Sequence, residues 1–538
     1  MIGRDQTRYA QESIAGHAAG RTANDVVVHP PRRSTGLGRD GITGGITSWL
    51  TGGLIVLLLA GCAARPTPVA VPAVSDETPA TRLARVIDTV TSTPGVARGT
   101  WGIVVESLPD RTRLAEMHPE ALLVPASTAK LLTLAVAAEA VGWDYRFDTS
   151  LFTTGPIIDG VLRGDLVVVG SGDPSIGGRG GDDLGDLIDA VTARGIRRVD
   201  GRVVADDSLV EEPEPGREWA WSDLGLGYGS VAGALNYQEN RFDVTIGPAR
   251  TPGAPALISA SAEGLDALVN EVLTDIPGAE ASIRPVLPAG GSRVRLVGSV
   301  PAGAAPATLS VAVANPTAWF ATSLRRRLLA AGVEVDDAAY DADALPLPLD
   351  WREARLLHTH RSRPLRDLAR PLMQESINLY GEAILRLATG PFGARSTAAA
   401  LDAVHRRLDA WGVPAGAVQL LDGSGLSRRD VVSADALATV LARMHAAPEA
   451  SDWLASLPLA GREGTLRGRL LGTPAEGVAR AKSGTMSNIR SLAGYVPAGA
   501  GRAVSFAVVL NNHEGSPAEA TAAIDRLVAQ IAAIALEP

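Results

Sequence analysis

Only two lysines occur in the 538 residues of this chain, Lys130 and Lys482, and the other 48 of its 50 basic residues are arginine. Arginine stays protonated in proteins. Lysine gives up its proton when burial or a nearby cation lowers its pKa, and its ammonium is more compact than a guanidinium. A position that needs a base or a narrow cation cannot drift to arginine. Each lysine sits in a short motif. Lys130 follows Ser127 by three residues in "VPASTAKLLTLAVAAEA". On a helix those two positions share a face, so the amine can reach the hydroxyl. A serine hydroxyl is a weak nucleophile until a base takes its proton, and a partly desolvated lysine can be that base. The N–H groups of a helix N-terminus nearby would favour developing negative charge. Lys482 opens Lys482-Ser483-Gly484-Thr485. There cation and hydroxyl can meet a carboxylate, and Gly484 allows close approach of the backbone to a ligand. Chance places both lysines in both motifs about one time in a thousand or less.

A third element, Ser376-Ile377-Asn378, sets a hydroxyl and an amide two residues apart in "LMQESINLYGEA". Alone it reads better as a helix-capping serine beside a surface asparagine; its place between the two lysine motifs gives it weight. The eight histidines offer no competing centre. His358 and His360 have strand-like spacing and no evident third ligand, so they read as structural, and no metal or cofactor is implied. "GSGDPSIGGRGGDD" is glycine-rich but lacks the Lys-[Ser/Thr] of a phosphate loop.

The elements that position these residues follow from periodicity. "TRLARVIDTVTS" (81–92) has apolar residues at helical spacing, and "TWGIVVES" and "RLAEMHPE" read as two strands around the turn "LPDR". The segment after Ser127 is apolar nearly all round from Leu131 to Ala138, which predicts a buried helix. From about Phe147 to Asp350, short β-like runs alternate with Gly/Pro turns, with helices expected near 182–194 and 263–274. Helical texture returns at "RPLRDLARPLMQESINLYGEAILRLAT". "SLAGYVPAGAGRAVSFAVVLNN" reads as a hairpin, and "PAEATAAIDRLVAQIAAIAL" as a closing helix.

Composition narrows the class. The chain is 46% hydrophobic and 20% charged, ample for a large core, and its net charge of −9 leaves no basic surplus for nucleic acid. The lone cysteine, Cys62, rules out an intrachain disulfide. It ends an apolar run as Leu59-Ala60-Gly61-Cys62, downstream of Arg32, Arg33 and Arg39. That is the layout of a secretory signal, and its last four residues resemble the bacterial lipoprotein signal, in which the cysteine thiol is lipidated. The alternative is a transmembrane anchor, since 46–64 is uncharged. We expect a signal region over 1–61 and a Pro/Ala linker over 62–78. The folded part is then extracytoplasmic, on the periplasmic or cell-wall side, and tethered to a membrane through Cys62.

Ser-x-x-Lys, Ser-x-Asn and Lys-[Thr/Ser]-Gly, in that order, resemble the motif set of penicillin-binding proteins and serine β-lactamases. The spacing of 249 residues from Ser127 to Ser376 selects a branch. This long insertion is similar to that of the D-alanyl-D-alanine carboxypeptidase/endopeptidase family, the low-molecular-mass class C penicillin-binding proteins. "SVAGALNYQEN", "LLDGSGLSRRDVVS" and "LAGREGTLRGRL" agree with it, and the resemblance runs from about residue 80 to 535. Two positions depart from the family pattern: Ile377 replaces an aspartate, and Ser483 a threonine.

The resemblance implies an α+β fold: a β-lactamase/transpeptidase-like domain, an antiparallel sheet flanked by helices, formed by 79–147 and 351–538. A β-rich insertion of two domains is expected between the first and second motifs, one from 148–235 with 330–350 and the other from 236–329. It implies a serine D-Ala-D-Ala carboxypeptidase and/or endopeptidase acting on peptidoglycan stem peptides and cross-links, with β-lactams as covalent inhibitors. Ser127 would be the nucleophile, Lys130 its base and Ser376 a proton relay. Asn378, Lys482, Ser483, Gly484 and Thr485 would hold substrate. Asp422 and Ser424, with Ser427, are expected to line the cleft; the alternative for each is a place in a Gly-rich turn. The alternatives are a serine β-lactamase or esterase, which shares the motifs, and a non-catalytic wall-binding scaffold.

Overall fold

The computed structural model describes residues 77–537 apart from 179–183, 212–214, 289–290, 395 and 499–501. The expected signal region, Cys62 and nearly all of the linker lie outside the described residues. Among the described residues no helix is long and apolar enough to cross a membrane.

The chain enters the fold at helix α1 (Pro79–Thr91), started by the Thr78 hydroxyl, which accepts the Thr81 N–H at 3.2 Å. Strands β1 (Thr100–Leu108) and β2 (Thr112–Met117) form the expected hairpin. The rest of that sheet comes from the far end of the chain: β3 (Arg480–Met486), β4 (Ile489–Ala498) and β5 (Arg502–Asn511). The order is β2–β1–β5–β4–β3, antiparallel throughout, so the first strand pairs with the last in an unbroken register from Thr100↔Asn511 to Leu108↔Ala503. Strands covered on both faces read as continuous apolar runs, as "AVSFAVVL" of β5 does.

Each face of the sheet has its own core. On one, α1 and the last helix α7 (Pro517–Ala535) pack Leu83, Ile87, Ile524, Leu527 and Val528 against Ile103, Val105 and Phe506. On the other lies helix α2 (Ala129–Val141), with every residue from Ala129 to Ala138 buried. It is enclosed by α3 (Leu365–Gln374), α4 (Asn378–Leu385), α5 (Thr397–Ala410) and α6 (Ala434–His445). The buried apolar helix expected after Ser127 is therefore the centre of this core.

Between α2 and α3 the described residues form four smaller sheets. The largest orders its strands Ala339–Asp341, Val203–Asp206, Leu166–Gly170, Asp148–Thr153 and Arg355–Arg361, mixing parallel and antiparallel pairs. One apolar cluster runs from Leu151 and Val203 through Phe242, Val272 and Leu296 to Trp319 and Phe320, so both expected parts of the insertion share a core. The helix expected near 263–274 is a difference. Only Ala262–Asp266 is helical, and Leu268–Asp275 is a strand parallel to Val294–Pro301. Its apolar spacing suits either state, and partnership with a neighbouring strand decided it. His358 and His360 lie on Arg355–Arg361. His360 Nδ1 is 2.6 Å from an Asp186 carboxylate oxygen, and its Nε2 is 3.6 Å from Asp173. Burial alone would lower its pKa, but the two carboxylates outweigh that and push it up to about 10.

Candidate active site

Three chain segments converge where the N-terminus of α2 meets edge strand β3. Ser127 sits in a single 3₁₀ turn (Ala126–Thr128) that runs directly into α2. Ala126 has φ +49°, a left-handed conformation that costs a residue with a Cβ about 1–2 kcal/mol. The surroundings hold it there: the Pro125 carbonyl accepts both the Ser491 hydroxyl (2.7 Å) and the Thr128 hydroxyl (2.8 Å). Asn511 clamps the preceding residue, accepting the Val124 N–H and donating to its carbonyl.

Lys130 is fully buried, while Ser127 is only partly so. The Lys130 ammonium donates to Ser127 Oγ (2.9 Å), Asn378 Oδ1 (2.7 Å) and the Ser424 carbonyl (2.6 Å). Burial lowers its pKa to about 8, against the opposing pull of Asp422, Glu382 and Asp430. The first and second motifs thus meet at one amine. Ser376 and Asn378 lie where α3 ends and α4 begins, and Ser376 has φ +60°, a second left-handed residue at the site. Ile377, the departure from the family pattern, packs against the helical core.

The third motif lies on β3. Lys482, also fully buried, donates to Ser376 Oγ (2.8 Å) and to the Ser483 carbonyl (2.8 Å). Burial first, and the charge of Lys130 second, hold its pKa well below the ordinary lysine value. The Ser483 hydroxyl donates to Thr465 Oγ1 at 2.8 Å. Thr485 is exposed on the same strand. Gly484 permits the junction: a Cβ there would lie 2.2 Å from Ser491 Oγ and 2.6 Å from the Pro125 carbonyl. Any side chain would push β3 off the turn that carries Ser127.

Asp422 and Ser424 stand elsewhere than expected. Neither lines the open cleft; both are fully buried behind Lys130. The Asp422 carboxylate accepts the N–H groups of Ser424 (3.1 Å), Gly425 (2.6 Å) and Ser427 (2.7 Å) and the Trp219 indole N–H (2.7 Å). It folds its own loop so that the Ser424 carbonyl points at Lys130. The Asp-Gly-Ser-Gly turn chemistry and a role at the site are one feature here, not alternatives.

The sequence reading missed the contribution of the insertion. Residues 216–231 reach back to the site: Trp219 bonds Asp422, and the Tyr228 carbonyl accepts the Asn378 amide at 2.9 Å. Trp219 and Leu224 pack with Leu426, and Met486 beyond the third motif joins them. Trp219, Trp221 and Tyr228 crowd into ten residues of a chain that is only 4% aromatic, the one sequence signal that could have drawn attention there. Glu382 was missed as well; its carboxylate accepts the Gly423 N–H and so braces the same loop.

This arrangement places a reachable hydroxyl on a buried amine, with a second hydroxyl on a second buried amine. That is equipment for acyl transfer through serine. Residues 83–531 match the D-Ala-D-Ala carboxypeptidase 3 (S13) family. The chain belongs to that family. It is 34% identical over 460 residues to the D-alanyl-D-alanine carboxypeptidase of Actinomadura sp. (strain R39), covering 82% of this chain and 84% of that one. It is 28% identical over 417 residues to the D-alanyl-D-alanine carboxypeptidase DacB of Haemophilus influenzae, with 77% and 85% covered. The crystal structure of penicillin binding protein 4 (dacB) from Haemophilus influenzae superposes with a TM-score of 0.73 at 26% identity, over 83% of this chain and 98% of that one. The fold of this S13 member is therefore α+β, as the motif order implied.

Proposed function

We propose that the chain is a serine D-Ala-D-Ala carboxypeptidase and/or endopeptidase of peptidoglycan peptides, working through an acyl-enzyme on Ser127. The observation that carries this reading is the three-way bonding of the buried Lys130 amine to Ser127, Asn378 and Ser424. With a pKa of about 8, an appreciable fraction of the amine is neutral near physiological pH and can take the Ser127 proton. Ser127 Oγ attacks the carbonyl of the penultimate D-alanine, or of a D-amino-acid cross-link. The resulting oxyanion sits at the backbone N–H groups of Ser127 and Thr485. Ser376, held by Lys482, passes the proton that Lys130 took from Ser127 on to the leaving amine as the C–N bond breaks, which leaves Lys130 neutral again. Asn378 holds the substrate amide. Lys482 with Ser483 receives the terminal carboxylate. Water then attacks the ester, with Lys130 taking its proton and returning it to Ser127 Oγ as the C–O bond breaks, and the shortened peptide is released. A β-lactam enters by the same attack and leaves a penicilloyl ester.

The location proposed is extracytoplasmic, where that substrate lies, with the layout around Cys62 supporting lipidation of its thiol and attachment to a membrane. Incubation with penicillin followed by intact-mass and peptide mass spectrometry tests the site. The expected result is an adduct on Ser127 that is absent from a folded Ser127→Ala variant. A folded protein that neither retains nor consumes penicillin would overturn the catalytic reading; one that consumes penicillin without a lasting adduct would be a β-lactamase.

A further inference from the structure

The loop that aims the Ser424 carbonyl at Lys130 closes on a second buried acid. Asp422 and Asp430, near its two ends, are both fully buried. The loop is also seated against the nucleophile. A Cβ at Gly425 would lie 2.0 Å from the Ala126 carbonyl. Val432, just past Asp430, exchanges both backbone hydrogen bonds with Leu123, at 2.9 and 3.2 Å. Where this loop stands therefore bears on Ser127 and on its base together.

Asp430 Oδ1 accepts the Leu421 N–H at 2.7 Å. Its Oδ2 is buried and meets no donor among the described residues. The side chain it faces at hydrogen-bonding range is the Asp422 carboxyl. Two carboxyl groups that close, away from water, cannot both be ionised. Asp422 accepts four N–H groups, the pattern of an ionised carboxylate, whereas Asp430 accepts one. A proton shared by the pair therefore belongs on Asp430 Oδ2, where it turns an acceptor without a donor into a donor with an acceptor. Burial first, and the Asp422 charge second, push the Asp430 pKa well above the usual carboxylate range, in line with that placement. The other charged groups that bear on Asp430 are Glu382 of α4 and Lys130 of α2.

We propose that Asp430 is a positioning residue for acylation, a neutral carboxylic acid whose Oδ2–H donates to Asp422 and so holds the Ser424 carbonyl on Lys130. The positioning role rests on Lys130 being the base proposed above; the protonation does not. In this form Asp430 ties the ends of the loop together and puts no charge beside Lys130. Its pull on the amine begins only where it ionises.

Two measurements on the full-length chain test this. The first is urea unfolding of wild type and Asp430→Asn at pH 5, 6 and 7. Asparagine keeps an acceptor for Leu421 and a donor for Asp422 but does not titrate. In the unfolded chain the aspartate is ionised above about pH 4, so folding of the wild type takes up a proton that the variant does not need. With the folded pKa raised, the wild-type advantage is complete below about pH 4 and is lost as pH rises toward that pKa. The wild-type folding constant should fall about tenfold per pH unit relative to the variant. A ratio that stays constant from pH 5 to 7 means an ionised Asp430 and overturns the proposal. The second measurement is the rate of acylation by a fluorescent penicillin across pH 6–9.5. Asp430→Ala removes the bridge and should acylate about tenfold more slowly, and Asp430→Asn should restore the rate with its rising limb at the wild-type pH. A limb moved to lower pH in Asp430→Asn would mean a lost negative charge and overturns the neutral form. Asp430→Ser, too short to span Leu421 and Asp422, replaces the alanine variant if that one does not fold. A folded variant without the bridge that acylates at the wild-type rate overturns the positioning role. A wild type that gives no adduct on Ser127 removes the catalytic reading and the positioning role with it, while the urea ratio still decides the shared proton.

Discussion

Replacing Asp422 with asparagine should move stability and the pH profile of acylation in ways that only this site predicts. The carboxylate accepts four N–H donors, two on each oxygen. Asparagine keeps one acceptor oxygen and turns an NH₂ toward the other pair. Two buried donors are then unsatisfied, at about 1–3 kcal/mol each, so a loss of about 2–6 kcal/mol is expected. Set against a typical stability of about 5–15 kcal/mol, the variant is weakened and a folded fraction is retained. Asp422 is also the first of the charges that hold the Lys130 pKa up against burial. Without it the amine gives up its proton more easily. In the wild-type protein, a base with a pKa of about 8 is about one-tenth neutral at pH 7 and about nine-tenths neutral at pH 9. Acylation should therefore rise about tenfold across that range, and in Asp422→Asn the rising limb should lie at lower pH. The assay is the rate of acylation by a fluorescent penicillin from pH 6 to 9.5, beside urea unfolding of both proteins. A wild-type rate that is flat across pH 7–9, or a folded Asp422→Asn whose limb is unmoved or shifted upward, would refute Lys130 as the base tuned by Asp422.

Other expectations can be checked with the same assays. Lys130→Arg keeps the charge but cannot take a proton, so acylation should fall by about 10²–10⁴ while the urea midpoint changes far less. Gly484→Ala drives a Cβ into Ser491 and Pro125, which should cost about 1–3 kcal/mol by overpacking and about 100-fold in acylation as β3 moves away from Ser127; an unimpaired variant would show that this contact does not set the geometry. His360 has a folded pKa of about 10, raised above its unfolded value, so its contribution to stability is complete below about pH 6.5 and is lost as pH rises through about 10. The stability difference between wild type and His360→Gln should follow that course in urea titrations at pH 6, 8 and 10.

The catalytic constellation was legible because its chemistry restricts residue type. Two lysines in an arginine-rich chain, each beside a serine, cannot be placed by helix or strand propensity. The elements around them were legible where a single period dominates, as in α1, α7 and the β4–β5 hairpin. At Leu268–Asp275 the period is ambiguous and the partner strand decides, which local sequence cannot express. The roles of Asp422 and Trp219 were hidden for a related reason. Each reads locally as a turn residue or a surface aromatic, and they join only because the insertion folds back 203 residues along the chain. Glu382 looks locally like half of an ordinary helical ion pair with Arg386; its bond to the Gly423 N–H, 41 residues on, is made only by the fold.

The pairing of β1 with β5 bears on when this hydrolase can become active. The strand that precedes Ser127 has its hydrogen-bonding partner about 400 residues later, and α1 packs on the last helix. Lys482 and the edge strand of the cleft also come late. While the chain is being made, Ser127 and Lys130 exist without the sheet that seats them. Activity therefore waits for the C-terminal segment, and a chain cut short before Asn511 would carry the nucleophile but no cleft. In this fold the last residues delivered complete the active site, which keeps an enzyme of wall peptides inert until the whole molecule has arrived.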